Sequence, residues 1–151
     1  MRDGVRLAQR TVVRKRIRLQ GFDYSSNGAY FITVCTYRRR RLLTGIALEI
    51  AQREYADLPS RFAGLTLDYH KFMPDHLHAI VQLSACRATL STIVQAYKSI
   101  TTLEIKRVVT CDRVWQRSFH DRIVRSESEL AALRKYIEHN EIVHVVRSEA
   151  S

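Results

Sequence analysis

The run Met73-Pro74-Asp75-His76-Leu77-His78-Ala79-Ile80-Val81 constrains this chain more than any other stretch. From His76 to Leu83 the residues alternate or run apolar, which predicts a strand, and the Pro74-Asp75 pair before it suits a hairpin back to Leu65–Phe72. Side chains alternate faces along a strand. His76 and His78 therefore project together, roughly 7 Å apart at Cα, while Leu77 enters the opposite layer. Two imidazoles so placed can share one divalent ion. Neutral imidazole suits Zn, Mn, Fe or Ni, and tolerates Mg when oxygen ligands and a phosphate complete the shell. The alternative is a pair of histidines satisfied by hydrogen bonds at a sheet edge, and a third ligand would decide between them.

The candidate third ligand lies some sixty residues downstream. Leu130 to Asn140 reads as an amphipathic helix opened by Ser126 or Ser128, with acidic residues in its first turn. Leu130, Leu133 and Ile137 centre its apolar stripe; Tyr136 and Asn140, four apart, share one flank, with Lys135 and His139 turned away. That flank offers an amide oxygen and a phenol oxygen to one site. Tyr55 and Tyr97, the other tyrosines expected on helices, are followed four residues on by Pro59 and Thr101, so Tyr136 is the best nucleophile candidate. The alternative for Tyr136 is a boundary aromatic with its hydroxyl in water.

The remaining elements follow from pattern. Tyr30–Tyr37 is rich in β-branched and aromatic residues, Ile46–Leu58 has helical spacing and ends before Pro59, and Thr89 to about Val109 is helical with Lys98, Thr102 and Lys106 on a polar face. Arg122–Arg125 is a candidate short last strand. The order strand, helix, strand, strand, helix, strand, helix predicts an α+β domain: an antiparallel sheet with helices packed on one face.

Charge points to a nucleic-acid partner. Residues 1–41 carry eleven Lys/Arg against Asp3 and Asp23, whereas the other 110 carry fourteen against thirteen acidic residues, so nearly all of the +10 net charge is N-terminal. Residues 1–25 read as a basic arm. Two clusters carry the excess: Arg14, Lys15, Arg16 and Arg18 before the first strand, and Arg38, Arg39, Arg40 and Arg41 directly after it. Guanidinium forks match phosphate oxygens, so these cations, together with Lys98, are the expected nucleic-acid contacts. A solvated basic face is the alternative. Phe119, Trp115 and His120 can stack on unpaired bases if exposed, although Trp115 suits a core.

At 151 residues and 46% apolar composition, a single domain with a usable core is expected. Cys35, Cys86 and Cys111 are scattered and odd in number, which argues against a disulfide scaffold and for the cytoplasm. No run of about eighteen apolar residues and no apolar N-terminal signal core occur, so no membrane partner is expected. Asp75 reads as the hairpin turn residue in preference to an acceptor for a ligating histidine.

Taken in order, Gly28–Tyr37, Met73–His78, Ile93–Ser99, Val114–Asp121 and the Tyr136-Ile-Glu-His-Asn140 ending resemble the single-tyrosine HUH transposases, in particular the REP-associated tyrosine transposases and their insertion-sequence relatives. About 110 residues are spanned. The resemblance implies a ferredoxin-like domain over 26–145, with a short tail at 146–151. It further implies that His76, His78 and Asn140 bind a divalent metal ion, Mg or Mn, and that Tyr136 attacks a phosphodiester of single-stranded DNA with hairpin structure. The product is a 5′-phosphotyrosine and a free 3′-hydroxyl, from which strand transfer follows without ATP. A homodimer with exchanged helices is permitted by the resemblance and not chosen by it.

Two departures stand out. Relatives often have proline after the position of Asn140, where this chain has Glu141, and the chain stops eleven residues beyond Asn140, so a longer hairpin-holding tail is expected to be missing. Two rival readings stay open: a domesticated, non-cleaving hairpin-binding protein, and a metal-dependent phosphoesterase with a water nucleophile that would survive Tyr136→Phe.

Overall fold

The computed structural model describes residues 27–139. The basic arm with Arg14, Lys15, Arg16 and Arg18, the expected ligand Asn140, and the 146–151 tail lie outside the described residues. The elements run β1 (Gly28–Cys35), a single 3-10 turn (Tyr37–Arg39), α1 (Gly45–Ala56), α2 (Leu58–Arg61), β2 (Leu65–Met73), β3 (His76–Leu83), α3 (Leu90–Val108), β4 (His120–Val124) and α4 (Glu127–Glu138).

The four strands form one sheet in the order β2-β3-β1-β4, every neighbouring pair antiparallel. This is the α+β arrangement expected from the element order. The β2–β3 hairpin closes between Met73 and His76, leaving Pro74-Asp75 as its two-residue loop. Gly64, just before β2, has φ +93°, and a Cβ there would sit 2.5 Å from the Ser84 carbonyl oxygen, so only glycine lets the chain enter the sheet at that point. The last strand starts two residues earlier than the sequence pattern suggests, because its ladder with β1 runs from Thr33↔His120 to Ala29↔Val124.

The sheet has two unequal layers. On one face Ile32, Val34, Leu77, Ala79, Val81 and Leu83 meet α1 and α3 through residues such as Ala51, Tyr55, Ile93 and Tyr97, forming the main core. On the other, Ile80 packs against Leu130, Leu133 and Ile137 of α4, with Phe31, Val124 and Tyr136 at the margin. The expectation of helices on one face thus holds for α1 and α3, while α4 crosses the opposite face. The reason is the apolar run in β3. Being buried along nearly its whole length, it presents two faces that both need cover, and α1 and α3 reach only one.

The N-terminus of α4 is set locally. Ser126 accepts a hydrogen bond from the Glu129 amide at 3.1 Å, and Glu127 and Glu129 lie in the first turn, where carboxylates oppose the positive helix end. Ser126 is therefore the cap, not Ser128.

Candidate active site

His76 and His78 project onto the α4 face, and both are buried; their ring centroids are 4.6 Å apart. Each ring is held by its Nδ1. Asp75 Oδ1 lies 2.7 Å from His76 Nδ1, and Thr33 Oγ1 lies 2.9 Å from His78 Nδ1. A carboxylate only accepts, so His76 Nδ1 carries the proton, which directs Nε2 as the ring atom able to ligate. Arg39 Nη2 is 3.3 Å from the same Nδ1, but that nitrogen has no lone pair left to offer; Arg39 bonds instead to Asp75, with Nε and Nη2 3.3 and 3.2 Å from Oδ2. Burial alone would raise the Asp75 carboxyl. The His76 hydrogen bond and the Arg39 charge outweigh it and hold Asp75 below its ordinary value.

The turn residue is thus also an acceptor for a site histidine, which the sequence reading had set second. Asp75 can do both because its backbone carbonyl accepts from the Thr36 amide at 3.0 Å, fixing the turn, while the side chain swings back to the next residue.

Tyr136 comes to the same place from α4. Its ring centroid is 5.6 Å from that of His78 and 6.1 Å from that of Phe31, and Phe31 stacks on His78 at 5.4 Å. Two contacts set the helix orientation. Arg134 forks onto Asp68, Nε to Oδ1 at 2.8 Å and Nη2 to Oδ2 at 2.7 Å, and Lys71 Nζ donates to the Glu138 carbonyl at 3.1 Å. A one-residue register shift between Leu67 and His70 accompanies the Asp68 contact, and Gln82 Nε2 steadies the carboxylate at 2.7 Å. The Arg134 fork leads in pulling the Asp68 carboxyl below its usual range.

Asn140 follows this helix outside the described residues, so its place as third ligand stays an expectation. Among the described residues no group of three or more His, Cys, Asp or Glu could hold a metal ion. Two imidazoles, oriented through Nδ1 and side by side, suit part of a divalent-metal shell that oxygen ligands must complete.

The cations divide into distinct groups. Arg38, Arg39, Arg40 and Arg41 are all exposed beside the site, and Arg38 and Arg39 adopt the left-handed conformation with φ 56° and 54°. Lys98 departs from expectation. It is 6% exposed, and its Nζ donates to the carbonyls of Gln116, Arg117 and Ser118 at 2.8, 3.2 and 2.9 Å. Burial pushes its ammonium down to about 8. The four-residue spacing to Thr102 and Lys106 hid this because α3 turns Lys98 toward the 116–118 segment, whose carbonyls have no ladder partner on that side. Trp115 is core, its Nε1 donating to Thr101 Oγ1 at 2.8 Å.

Sequence reasoning missed Thr33, Phe31, Asp68 and Arg134. Only the strand register brings Thr33 opposite His78, and only the placement of α4 brings Arg134 to Asp68.

The family model described as "Transposase IS200 like" matches residues 24–140. The chain belongs to the IS200-like transposase family. Its function is accordingly transposase-like action on DNA. Among solved structures, this transposase is similar to a REP-associated tyrosine transposase bound to a REP hairpin, at TM-score 0.71 and 20% identity over 85% of this chain and 74% of that one. It also shares its fold with a structure described as a transposase of Deinococcus radiodurans, at TM-score 0.57 and 19% identity over 81% of this chain and 95% of the other. An uncharacterised protein of Haemophilus influenzae is 25% identical over 160 residues, covering 86% of this transposase and 89% of the relative. Among the described residues, no helix is long and apolar enough to cross a membrane.

Proposed function

We propose that this transposase nicks and rejoins single-stranded, hairpin-containing DNA through a covalent bond between Tyr136 Oη and a 5′-phosphate. The observation that carries the reading is the approach of the Tyr136 ring to His78, 5.6 Å between centroids, with the His76 ring edge-on to His78 at 4.6 Å. A phenol beside two oriented imidazoles is the donor set that tyrosine-mediated phosphoryl transfer needs.

In the nicking step the Oη–P bond forms and the P–O3′ bond breaks; the phenol loses its proton and the leaving oxygen gains one, becoming a 3′-hydroxyl. Attack through Oη requires that proton to leave as the bond to phosphorus forms, and a base or a nearby cation assists a hydroxyl nucleophile in that step. A divalent ion, magnesium or manganese, held by His76 and His78 with Asn140 as the expected third ligand, would supply positive charge to the phosphate and to the developing phenolate. Asp75 and Thr33 fix the two rings, and Phe31 limits how far the phenol can swing. Strand transfer is the reverse attack by another 3′-hydroxyl, which releases Tyr136; the phosphotyrosine keeps the energy of the broken bond, so no nucleotide is consumed.

The exposed Arg38–Arg41 run beside His76, and the expected arm cations Arg14, Lys15, Arg16 and Arg18, suit contacts to the DNA backbone. Hairpin DNA as partner is supported by the REP-associated relative, which is bound to a REP hairpin.

The test is incubation of wild type and Tyr136→Phe with labelled single-stranded hairpin DNA and Mg or Mn, read on a denaturing protein gel. A metal-dependent adduct in wild type alone is expected. Cleavage by the phenylalanine variant would replace this reading with a water nucleophile, and binding without any adduct would leave a hairpin-binding protein that does not cut.

A further inference from the structure

An open groove of about 560 Å³ runs between α3 and the segment 113–117. Lys106, Arg113 and Arg117 line it, and no aspartate or glutamate does. Gln95, Ser99 and Thr102 supply amide and hydroxyl groups along the helix side, and Leu103, 59% exposed, adds an apolar surface. Neither Lys106 nor Arg117 enters an ion pair among the described residues, so both charges are left to solvent or a ligand.

The groove wall is built, not draped. Lys98 clamps three successive carbonyls of the 116–118 segment, Trp115 is bonded to Thr101 beneath it, and backbone bonds Gln116 to Cys35 and Tyr37 to Val114 tie it to the end of β1. That strand end is the one whose Cys35 pairs with His76. A cationic path joins groove and site: Arg113 and Arg38 both lie over the Tyr37 ring, at 5.1 and 5.2 Å, and Arg39 reaches Asp75, the carboxylate that holds His76.

We infer that this groove binds unpaired DNA nucleotides, the single-stranded stretch that continues from the phosphate at Tyr136. The inference rests on the proposed nicking function and names where its substrate strand runs. Positive charge with no carboxylate in the lining selects phosphate; amides, hydroxyls and an exposed leucine can take base edges and faces. The volume lies within the roughly 300–1,000 Å³ of sites that take small ligands, room for a splayed nucleotide or two.

Two probes test it by fluorescence anisotropy on the full chain: a blunt hairpin, and the same hairpin with ~6-nucleotide single-stranded flanks, a length one such site can cover. Lys106→Gln/Arg117→Gln, both at exposed positions, should weaken the flanked probe about tenfold and leave the blunt probe unchanged. The salt dependence on the flanked probe should become shallower by about 0.7 for each cation removed. Equal loss on both probes, or on neither, overturns the groove assignment. A photoreactive iodouracil in the flank should cross-link to one of the two groove walls, the 95–106 helix segment or residues 113–117, and cross-links confined to other segments overturn it too. The two readings fail separately. Flank preference that depends on Lys106 and Arg117 with no Tyr136 adduct keeps the groove and discards nicking, whereas adduct formation with unaltered flank affinity in the double variant does the reverse.

Discussion

Asp75 and His76 are sequence neighbours that hydrogen-bond side chain to side chain, Oδ1 to Nδ1 at 2.7 Å, inside the turn that starts β3. The bond fixes the proton on Nδ1 and so directs Nε2 as the ligating atom. Removing the acceptor with Asp75→Ala should weaken the apparent affinity for Mn by about 10- to 100-fold. Asp75→Asn keeps the turn chemistry and a neutral acceptor, and should fall between. The readout is a Mn titration of covalent adduct, and identical midpoints in all three proteins would refute a role for Asp75 in orienting the ligand.

Phe31 touches both His78 and Tyr136, which also touch each other, so the three rings pack as a mutual cluster. Phe31→Leu should cost about 1 kcal/mol of stability, since the side chain is only partly buried. Its effect on adduct formation should be larger, a slowing of about 10- to 100-fold, because small misplacements of reacting groups are costly. Single-turnover rates beside a denaturant titration separate the two; a rate that falls no more than stability predicts would assign Phe31 to packing alone.

The Asp68–Arg134 fork gives α4 docking a pH dependence. Asp68 has its carboxyl depressed in the folded state, so it adds stability above the unfolded value of about 3.9, and that contribution disappears as pH falls through the lower folded value. Asp68→Asn should therefore be less stable than wild type at pH 5–7, with the two curves converging as pH falls through the depressed folded value of Asp68. Thermal melts across this range check it, and a gap that persists undiminished at the acid end would mean the fork is not its source.

Lys98 holds a segment and not a phosphate. Lys98→Met strands three carbonyls and should cost about 1–3 kcal/mol. At roughly 2–4 °C per kcal/mol for a chain of this size, the melting temperature falls several degrees. The salt dependence of binding to a blunt hairpin should stay as in wild type, and a slope reduced by a full phosphate contact would return Lys98 to the DNA interface.

Periodicity, capping and local chemistry made much of this protein legible. The His-x-His spacing placed both imidazoles on one face because alternation in a strand is geometric, and the Ser126 cap with the Leu130, Leu133 and Ile137 stripe located α4. The order of elements led to the antiparallel sheet. These are properties of neighbours within a few residues, and the chain determines them without reference to the rest of the fold. Tertiary structure decided what lies across gaps of forty residues or more: that Thr33 holds His78, that α4 covers the face opposite α1 and α3, and that Asp68 anchors the helix carrying Tyr136. Those pairings depend on strand register and on which apolar face is left uncovered once the main core has formed. Lys98 makes the same point in reverse. Its spacing is that of a solvated helix face, and only the approach of the 116–118 carbonyls, three acceptors that converge on its Nζ, turns it inward.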